Sequence, residues 1–320
     1  MALRRLFRRK FNVTVVICIF CFVVFVTIFP LQNRKQAKRH SSDSKHENIP
    51  RQDLELLKDK DERFVVYNRV PKCGSMSMTT VCYRAGGVNG FKVASPYENG
   101  EKQAKTEEEQ EEFIDFLHQQ PPGYLYIRHQ YFIDFTRFNS KQPIYINMIR
   151  DPVARFESFY YFSRFGNERG GGAGRMSDVR RQEGIDECIQ NNRQECSKPY
   201  WQMVPYFCGQ DPGCMSRSQW AVDKAKENIK KHYVFVGILE DLDTSLRLLE
   251  AILPKYFKNA LNIYHNPENE RLKFETHTKN KKKTSEAAKE FLKTQTSIKL
   301  EYDLYVFVQN ELNYLRAIYL

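Results

Sequence analysis

From residue 64 onward, short apolar runs alternate with longer stretches whose apolar residues recur at helical spacing. Phe64 to Tyr67, Pro122 to Ile127, the run starting at Ile144 and Tyr233 to Gly237 are nearly unbroken and β-rich, the pattern of strands covered on both faces. Between and after them, Thr106 to Leu117 carries acids in its first turn and apolar residues on one face thereafter. Trp220 to Lys231, Leu242 to Leu253 with Pro254 as its stop, and most of Ser285 to Leu315 also read as helices. Strand–helix alternation predicts an α/β fold with a central, mainly parallel sheet flanked by helices. At 320 residues the chain can bury one such core, with little left for a second domain.

The start of the chain is different. Val13 to Phe29 is an apolar run that, at ~1.5 Å per helical residue, just spans a thin bilayer. It follows Arg4, Arg5, Arg8, Arg9 and Lys10 and is expected to be a transmembrane signal anchor over 11–29. A cleaved signal peptide is the rival, but Pro30-Leu-Gln-Asn33 makes a poor cleavage site. Arg34, Lys35, Lys38 and Arg39 nearly match the upstream charge, so orientation rests on the first-helix rule and the large C-terminal domain. Together these place 1–10 in the cytosol as a type II tail. Residues 30–62 are polar and poor in large apolar side chains, the composition of a stem, which leaves 63–320 as the lumenal domain. The net charge of +11 includes the five basic residues of the tail, so only +6 lies beyond Phe29. A basic surface suits nucleic acid, an anionic membrane or an acidic polysaccharide; the anchor argues against nucleic acid.

Two turns carry the candidate chemistry. In Asn68-Arg-Val-Pro-Lys-Cys-Gly-Ser-Met-Ser77 a strand ends, Pro71 and Gly74 punctuate a turn, and small hydroxyl residues open a helix. Backbone amides of Cys73, Gly74, Ser75, Met76 and Ser77, with Lys72 beside them, would bind an anionic group. No Gly-x-x-x-x-Gly precedes the lysine, which weakens an ATPase or kinase reading. The plain alternative is an ordinary strand–turn–helix connection with a solvated lysine. In the second turn, Ile149-Arg-Asp-Pro152, Asp151 can cap a helix and Pro152 suits its first turn, while Arg150 and Ser158 stand eight residues apart. By itself this could be a cap with a buried ion pair; two such turns in order make chance agreement unlikely.

These turns resemble the phosphate loops of sulfotransferases that use 3′-phosphoadenosine 5′-phosphosulfate (PAPS). With Tyr67-Asn-Arg-Val-Pro-Lys72, Pro143-Ile-Tyr-Ile-Asn147, Tyr160-Tyr-Phe162, Arg164-Phe-Gly166, Pro205-Tyr-Phe-Cys-Gly209, Glu240 and Leu300-Glu-Tyr-Asp-Leu-Tyr305, the chain is similar to the glycosaminoglycan uronyl 2-O-sulfotransferases over about residues 63 to 320. Cys73-Gly-Ser75 and the Cys208 to Cys214 segment resemble the chondroitin/dermatan branch more than the heparan branch. The resemblance implies a P-loop-like sulfotransferase fold, PAPS as co-substrate, no metal, and a glycosaminoglycan acceptor at a Golgi membrane. It also implies His129 as catalytic base, Lys72 at the leaving phosphate, Arg69 near substrate or sulfonyl group, the 5′-phosphate on Gly74 to Ser77 and the 3′-phosphate on Arg150 and Ser158. A lone histidine is usually structural, so His129 rests on the likeness and on its place at a strand end.

Cys188, Cys196, Cys208 and Cys214 allow three pairings in a lumenal domain, and the resemblance implies Cys188–Cys196 and Cys208–Cys214. Cys73 and Cys82 flank the first turn and are expected to stay free. Arg164 to Arg181, with Gly170-Gly-Gly-Ala-Gly174, reads as a mobile basic loop facing polymer, or as a loop whose arginines meet only water. Lys279-Asn-Lys-Lys-Lys283 is a second basic stretch suited to a polyanion. A second copy of the chain is a candidate partner, although the sequence stops sooner after its last helix than the relatives do.

Overall fold

The computed structural model describes residues 57–96, 105–167, 170–172, 176–269 and 277–320. The expected tail and anchor, and most of the stem, lie outside the described residues; among those described, no helix is long and apolar enough to cross a membrane. Five strands form one wholly parallel sheet: β1 (Lys60–Tyr67), β2 (Lys92–Ala94), β3 (Tyr124–Ile127), β4 (Gln142–Ile149) and β5 (Tyr233–Ile238), in the order β2-β3-β1-β4-β5. β1 thus begins inside the expected stem.

The residues of β3, β4 and β5 are buried throughout, as both faces of a parallel sheet with helical crossovers must be. The principal helices are α1 (Ser75–Asn89), α2 (Glu107–His118), α3 (Pro152–Phe165), α4 (Met203–Cys208), α5 (Gln219–His232), α6 (Leu242–Ile252), α7 (Glu286–Thr294) and α8 (Thr296–Tyr319). α2 starts on a capping box: the Thr106 side chain accepts from Glu109 N, and the Glu109 side chain accepts from Thr106 N. Pro254 does not simply end a helix: it starts a short one, Pro254–Phe257, because proline at a first helical position forfeits only an amide that would be unpaired anyway. The short edge strand β2 is an addition to the expected strands; its three residues, none fully buried, leave no periodic pattern to read.

One apolar core surrounds the sheet and a smaller one packs α3 against Ile185, Cys188, Cys196, Leu292 and Ile298. Cys188 is bonded to Cys196 and Cys208 to Cys214, while Cys73 and Cys82 are free and buried. Arg155 crosses between layers, its guanidinium donating to Glu301 Oε2 (3.0 Å) and Gln202 Oε1 (2.7 Å), both partners being buried. Breaking such a pair from one side leaves the other charge stranded at a cost of about 3–5 kcal/mol.

The chain moves from β1 to one side of the sheet, returns through β3, and crosses β1 to reach β4. The carboxyl ends of β3, β1 and β4 therefore lie side by side where the winding reverses, the place where open parallel sheets bind ligands.

Candidate active site

The turn from β1 into α1 is sharp: Lys72 and Gly74 are both left-handed, with φ 66° and 71°. The lysine conformation costs about 1–2 kcal/mol that the surroundings must offset. A Cβ on Gly74 would stand 2.5 Å from Leu239 Cδ1, so the position is closed to side chains by packing as well as by φ. Gly74 is the N-cap of α1 and no side chain caps that helix start. Its first amides are donors with a helix dipole behind them, an arrangement that fits a phosphate. Cys73 is fully buried, so only its backbone can serve a ligand, and Ser75 is nearly so. Burial pushes the Cys73 thiol up to about 12, which keeps it protonated and inert.

Lys72 extends over the Phe162 ring, 3.9 Å from its centre, and donates to Thr278 Oγ1 at 3.3 Å. No carboxylate pairs with it among the described residues. Burial, helped by the nearby Arg150, lowers its pKa to about 8. An incoming phosphate would reverse that shift, because an opposite charge favours the ammonium. Phe162 lies one helical turn beyond Ser158, so both belong to one face of α3, a spacing already present in the sequence.

At the end of β4, Arg150 donates to Lys72 O (3.4 Å) and approaches Glu240 Oε1 at 3.8 Å. Asp151 caps α3, accepting from Ala154 N at 2.8 Å, and its other oxygen accepts from Tyr302 OH at 2.6 Å. Both oxygens of Glu240 accept from Asp151 N at 3.1 Å, and Tyr305 OH donates to Glu240 at 3.3 Å. Helix α8, far away in sequence, thus sets the second turn. Ser158 is buried on α3.

Just past β3, His129 Nδ1 lies 2.8 Å from Arg69 O. A carbonyl can only accept, so Nδ1 carries the proton and Nε2 keeps its lone pair. Burial, with the Arg69 charge, lowers the imidazole to about 4, so it is neutral at physiological pH. The Tyr206 ring meets His129 edge-on at 6.5 Å. Arg69 supplies that carbonyl, and its Nη1 donates to Thr79 Oγ1 at 3.4 Å and reaches Met76 Sδ at 3.7 Å. No carboxylate pairs with Arg69 among the described residues.

A buried polar network sets these loops. Asn68 Nδ2 donates to Tyr206 O (3.0 Å) and Gln130 O (3.4 Å). Asn68 Oδ1 accepts from Tyr233 OH (3.0 Å) and from Asn147 Nδ2 (2.9 Å). Asn68 and Asn147 are both buried, and leaving their amides unpaired would cost about 1–3 kcal/mol each. Asn68 and Asn147 stand in segments that carry the likeness, yet the sequence alone gives them no role, because pairing across β1, β4 and β5 is visible only once the strand order is known.

Arg164 is not part of a mobile loop. It is buried in α3, 3.4 Å over the Tyr160 ring, and donates to Glu195 at 2.5 Å. Helical phase explains this, since Arg164 follows Tyr160 by one turn. Arg180 and Arg181 sit on the short helix Asp178–Gln182, and Arg169 and Arg175 lie outside the described residues. Of the second basic stretch, Lys281 pairs with Glu157 at 2.9 Å, and Lys279 N donates to Gly166 O at 3.1 Å.

Residues 56–312 match the model of the sulfotransferase family. The chain is 41% identical over 259 residues to the uronyl 2-sulfotransferases of Mus musculus and Homo sapiens, covering 79% of this chain and 63% of theirs. It is 32% identical over 290 residues to heparan sulfate 2-O-sulfotransferase 1 of Xenopus laevis, covering 89% of this chain and 78% of that one. The match thus spans less than two thirds of the length of the uronyl relatives. With the uncapped α1 start, Lys72 and the neutral His129 gathered at the ends of adjacent parallel strands, a match over most of the described domain leaves one assignment: the chain belongs to the sulfotransferase family.

Proposed function

We propose that the protein transfers the sulfonyl group of PAPS to the 2-hydroxyl of a uronic acid residue in a glycosaminoglycan, dermatan or chondroitin sulfate before heparan sulfate. The observation that carries this reading is the tautomer of His129: Nδ1–H is held by Arg69 O, and a neutral imidazole leaves Nε2 able to take a hydroxyl proton. The acceptor oxygen forms a bond to sulfur as the bond from sulfur to the bridging phosphate oxygen breaks. His129 receives the proton, Lys72 meets the charge developing on the departing phosphate, and 3′,5′-ADP is the second product. The amides of α1 suit the 5′-phosphate, and Arg150 with Ser158 suits the 3′-phosphate. The uronyl relatives at 41% identity support the position of transfer, and the Cys73-Gly-Ser75 turn supports the branch.

The same reading puts the domain in the Golgi lumen on a single type II anchor. The basic tail, the apolar run to Phe29 and two disulfides in the domain support it. Protease protection in sealed microsomes tests the orientation: digestion of the domain without detergent would reject it.

Transfer of radiolabelled sulfate from PAPS to dermatan, chondroitin, heparan and desulfated heparin, followed by disaccharide analysis, tests the reaction. Uronyl 2-O-sulfate on dermatan or chondroitin is expected. Sulfate only on hexosamine would reject the uronyl assignment, whereas uronyl 2-O-sulfate on heparan alone would reject only the branch. His129→Ala is expected to lower turnover by roughly 10²–10⁴ while affinity for 3′,5′-ADP stays the same.

A further inference from the structure

A cavity of about 320 Å³ opens beside α3, with Phe159, Arg164, Glu195, Lys198, Tyr200 and Arg217 in its lining. That volume is within the roughly 300–1,000 Å³ range of small-ligand sites. No residue assigned to PAPS or to proton transfer lines it.

Its walls combine two chemistries. Phe159 and Tyr200 stack in parallel, ring centres 5.5 Å apart and planes within 9°, and Tyr200 is 50% exposed. Lys198 and Arg217 are exposed and make no ion pair among the described residues; Arg217 donates only to Pro199 O, at 3.4 Å. Glu195 is already held by Arg164 at 2.5 Å and Arg180 at 3.2 Å. Arg164, Lys198 and Arg217 against Glu195 alone leave the lining with an excess of positive charge. A pyranose ring bearing a carboxylate or sulfate has the matching parts: an apolar C–H face to lie on an aromatic ring, and an anionic edge for guanidinium and ammonium groups.

The cavity shares helix α3 with the reacting centre. Phe159 adjoins Ser158 on α3, the helix whose Phe162 supports Lys72. On the other side Tyr200 is near enough to Tyr131 to add to the upward push that burial gives its phenol. The Tyr131 ring meets Tyr206 edge-on at 5.3 Å, and Tyr206 meets His129 at 6.5 Å. Two rings, Tyr206 and Tyr131, therefore lead away from the base.

We propose that this cavity is an acceptor subsite for an anionic sugar residue of the polymer other than the one that receives the sulfonyl group, with Tyr200 as platform and Lys198 and Arg217 as anion partners. The proposal rests on the glycosaminoglycan reading above and extends it from reaction to chain length and sulfation pattern.

The test uses the full chain loaded with 3′,5′-ADP, dermatan sulfate tetrasaccharide and octasaccharide as probes, and three variants: Tyr200→Ala, Tyr200→Phe and Lys198→Ala combined with Arg217→Ala. Calorimetry is expected to show octasaccharide binding weakened about tenfold by Tyr200→Ala and by the double substitution, the loss of one charged or stacked contact. Tyr200→Phe should retain binding, tetrasaccharide binding should change less than octasaccharide binding, and affinity for 3′,5′-ADP should not move. Equal affinity of wild type and both weakened variants for octasaccharide would overturn the subsite, even where wild-type sulfate transfer upholds the reaction. Failure of wild type to transfer sulfate to any uronic acid would overturn the reaction, and the binding comparison would still decide the subsite. Because all three positions are exposed, unchanged thermal melting is expected, and it separates lost recognition from lost fold.

Discussion

The turns after β1 and β4 leave neighbouring parallel strands and enter helices of similar length, yet their helix starts are finished differently. α1 begins on left-handed Gly74 with no side-chain cap, whereas α3 begins on Asp151, whose carboxylate accepts from Ala154 N. The first turn therefore keeps its amide donors for a ligand. The second has an amide donor taken by its own cap and is braced from outside by Glu240 and Tyr302. What remains for binding in the second turn is side-chain chemistry, Arg150 and Ser158. Two turns that look alike as strand–turn–helix thus present different donors, one its backbone amides and a lysine, the other an arginine.

The widest separation between them should appear in rate. Lys72→Ala is expected to lower kcat by about 10²–10³, the usual loss when one donor to a developing charge is removed. Arg150→Ala is expected to act on binding instead, weakening PAPS by roughly 10–100-fold through one charge-assisted contact and hardly affecting a nucleotide without the 3′-phosphate. Single-turnover kinetics and calorimetry separate the two. Equal weakening of both nucleotides by Arg150→Ala would make that residue a structural brace and remove the division.

A smaller effect comes from the charge that the two turns share. For the free enzyme, kcat/KM for PAPS should rise with pH as His129 loses its proton near about 4, and fall as Lys72 does near about 8. Arg150 contributes, after burial, to lowering Lys72, so Arg150→Ala should move the alkaline limb to higher pH. An unmoved limb would mean that burial alone sets Lys72. The histidine also has a stability signature. Its pKa is depressed in the folded chain, so between about 4 and ~6.5 the unfolded chain binds more protons and stability falls as pH falls. His129→Gln should flatten that slope, while buried His232, also lowered to about 4, keeps part of it.

How far the sequence reaches differs between the two turns for the same physical reason. Local signals are sufficient for the first: a buried apolar run, Pro71, Gly74 and a lysine define a strand, a turn and a helix start within a few residues. In the second, Asp151 and Pro152 announce the cap, but Glu240 arrives from the turn after β5 and Tyr302 and Tyr305 from α8, and no periodicity links them to residue 150. The parallel sheet was legible from its unbroken apolar runs, whereas short β2 and the burial of Arg164 were not. An arginine beside a glycine-rich stretch reads as loop until helical phase carries it under Tyr160. His129 was placed by likeness and by its strand end; its tautomer depends on the Arg69 carbonyl, a contact across 60 residues.

The least costly way to test the comparison is to remove the cap that only the second turn has. Asp151→Ala deletes the acceptor of Ala154 N and the partner of Tyr302 OH, so destabilisation of about 1–2 kcal/mol is expected from the cap together with a partly buried hydroxyl contact. Asp151→Asn should recover part of this, because an asparagine oxygen can cap as well, although it cannot replace both carboxylate oxygens with equal strength. Denaturant unfolding reads the difference. Since the first turn does not depend on Asp151, affinity for a nucleotide carrying only a 5′-phosphate should remain unchanged under conditions where the variant is folded. Loss of that affinity with Asp151→Ala would show that the second cap holds the first turn as well, through the Arg150 to Lys72 carbonyl contact, and that the two turns act as one unit.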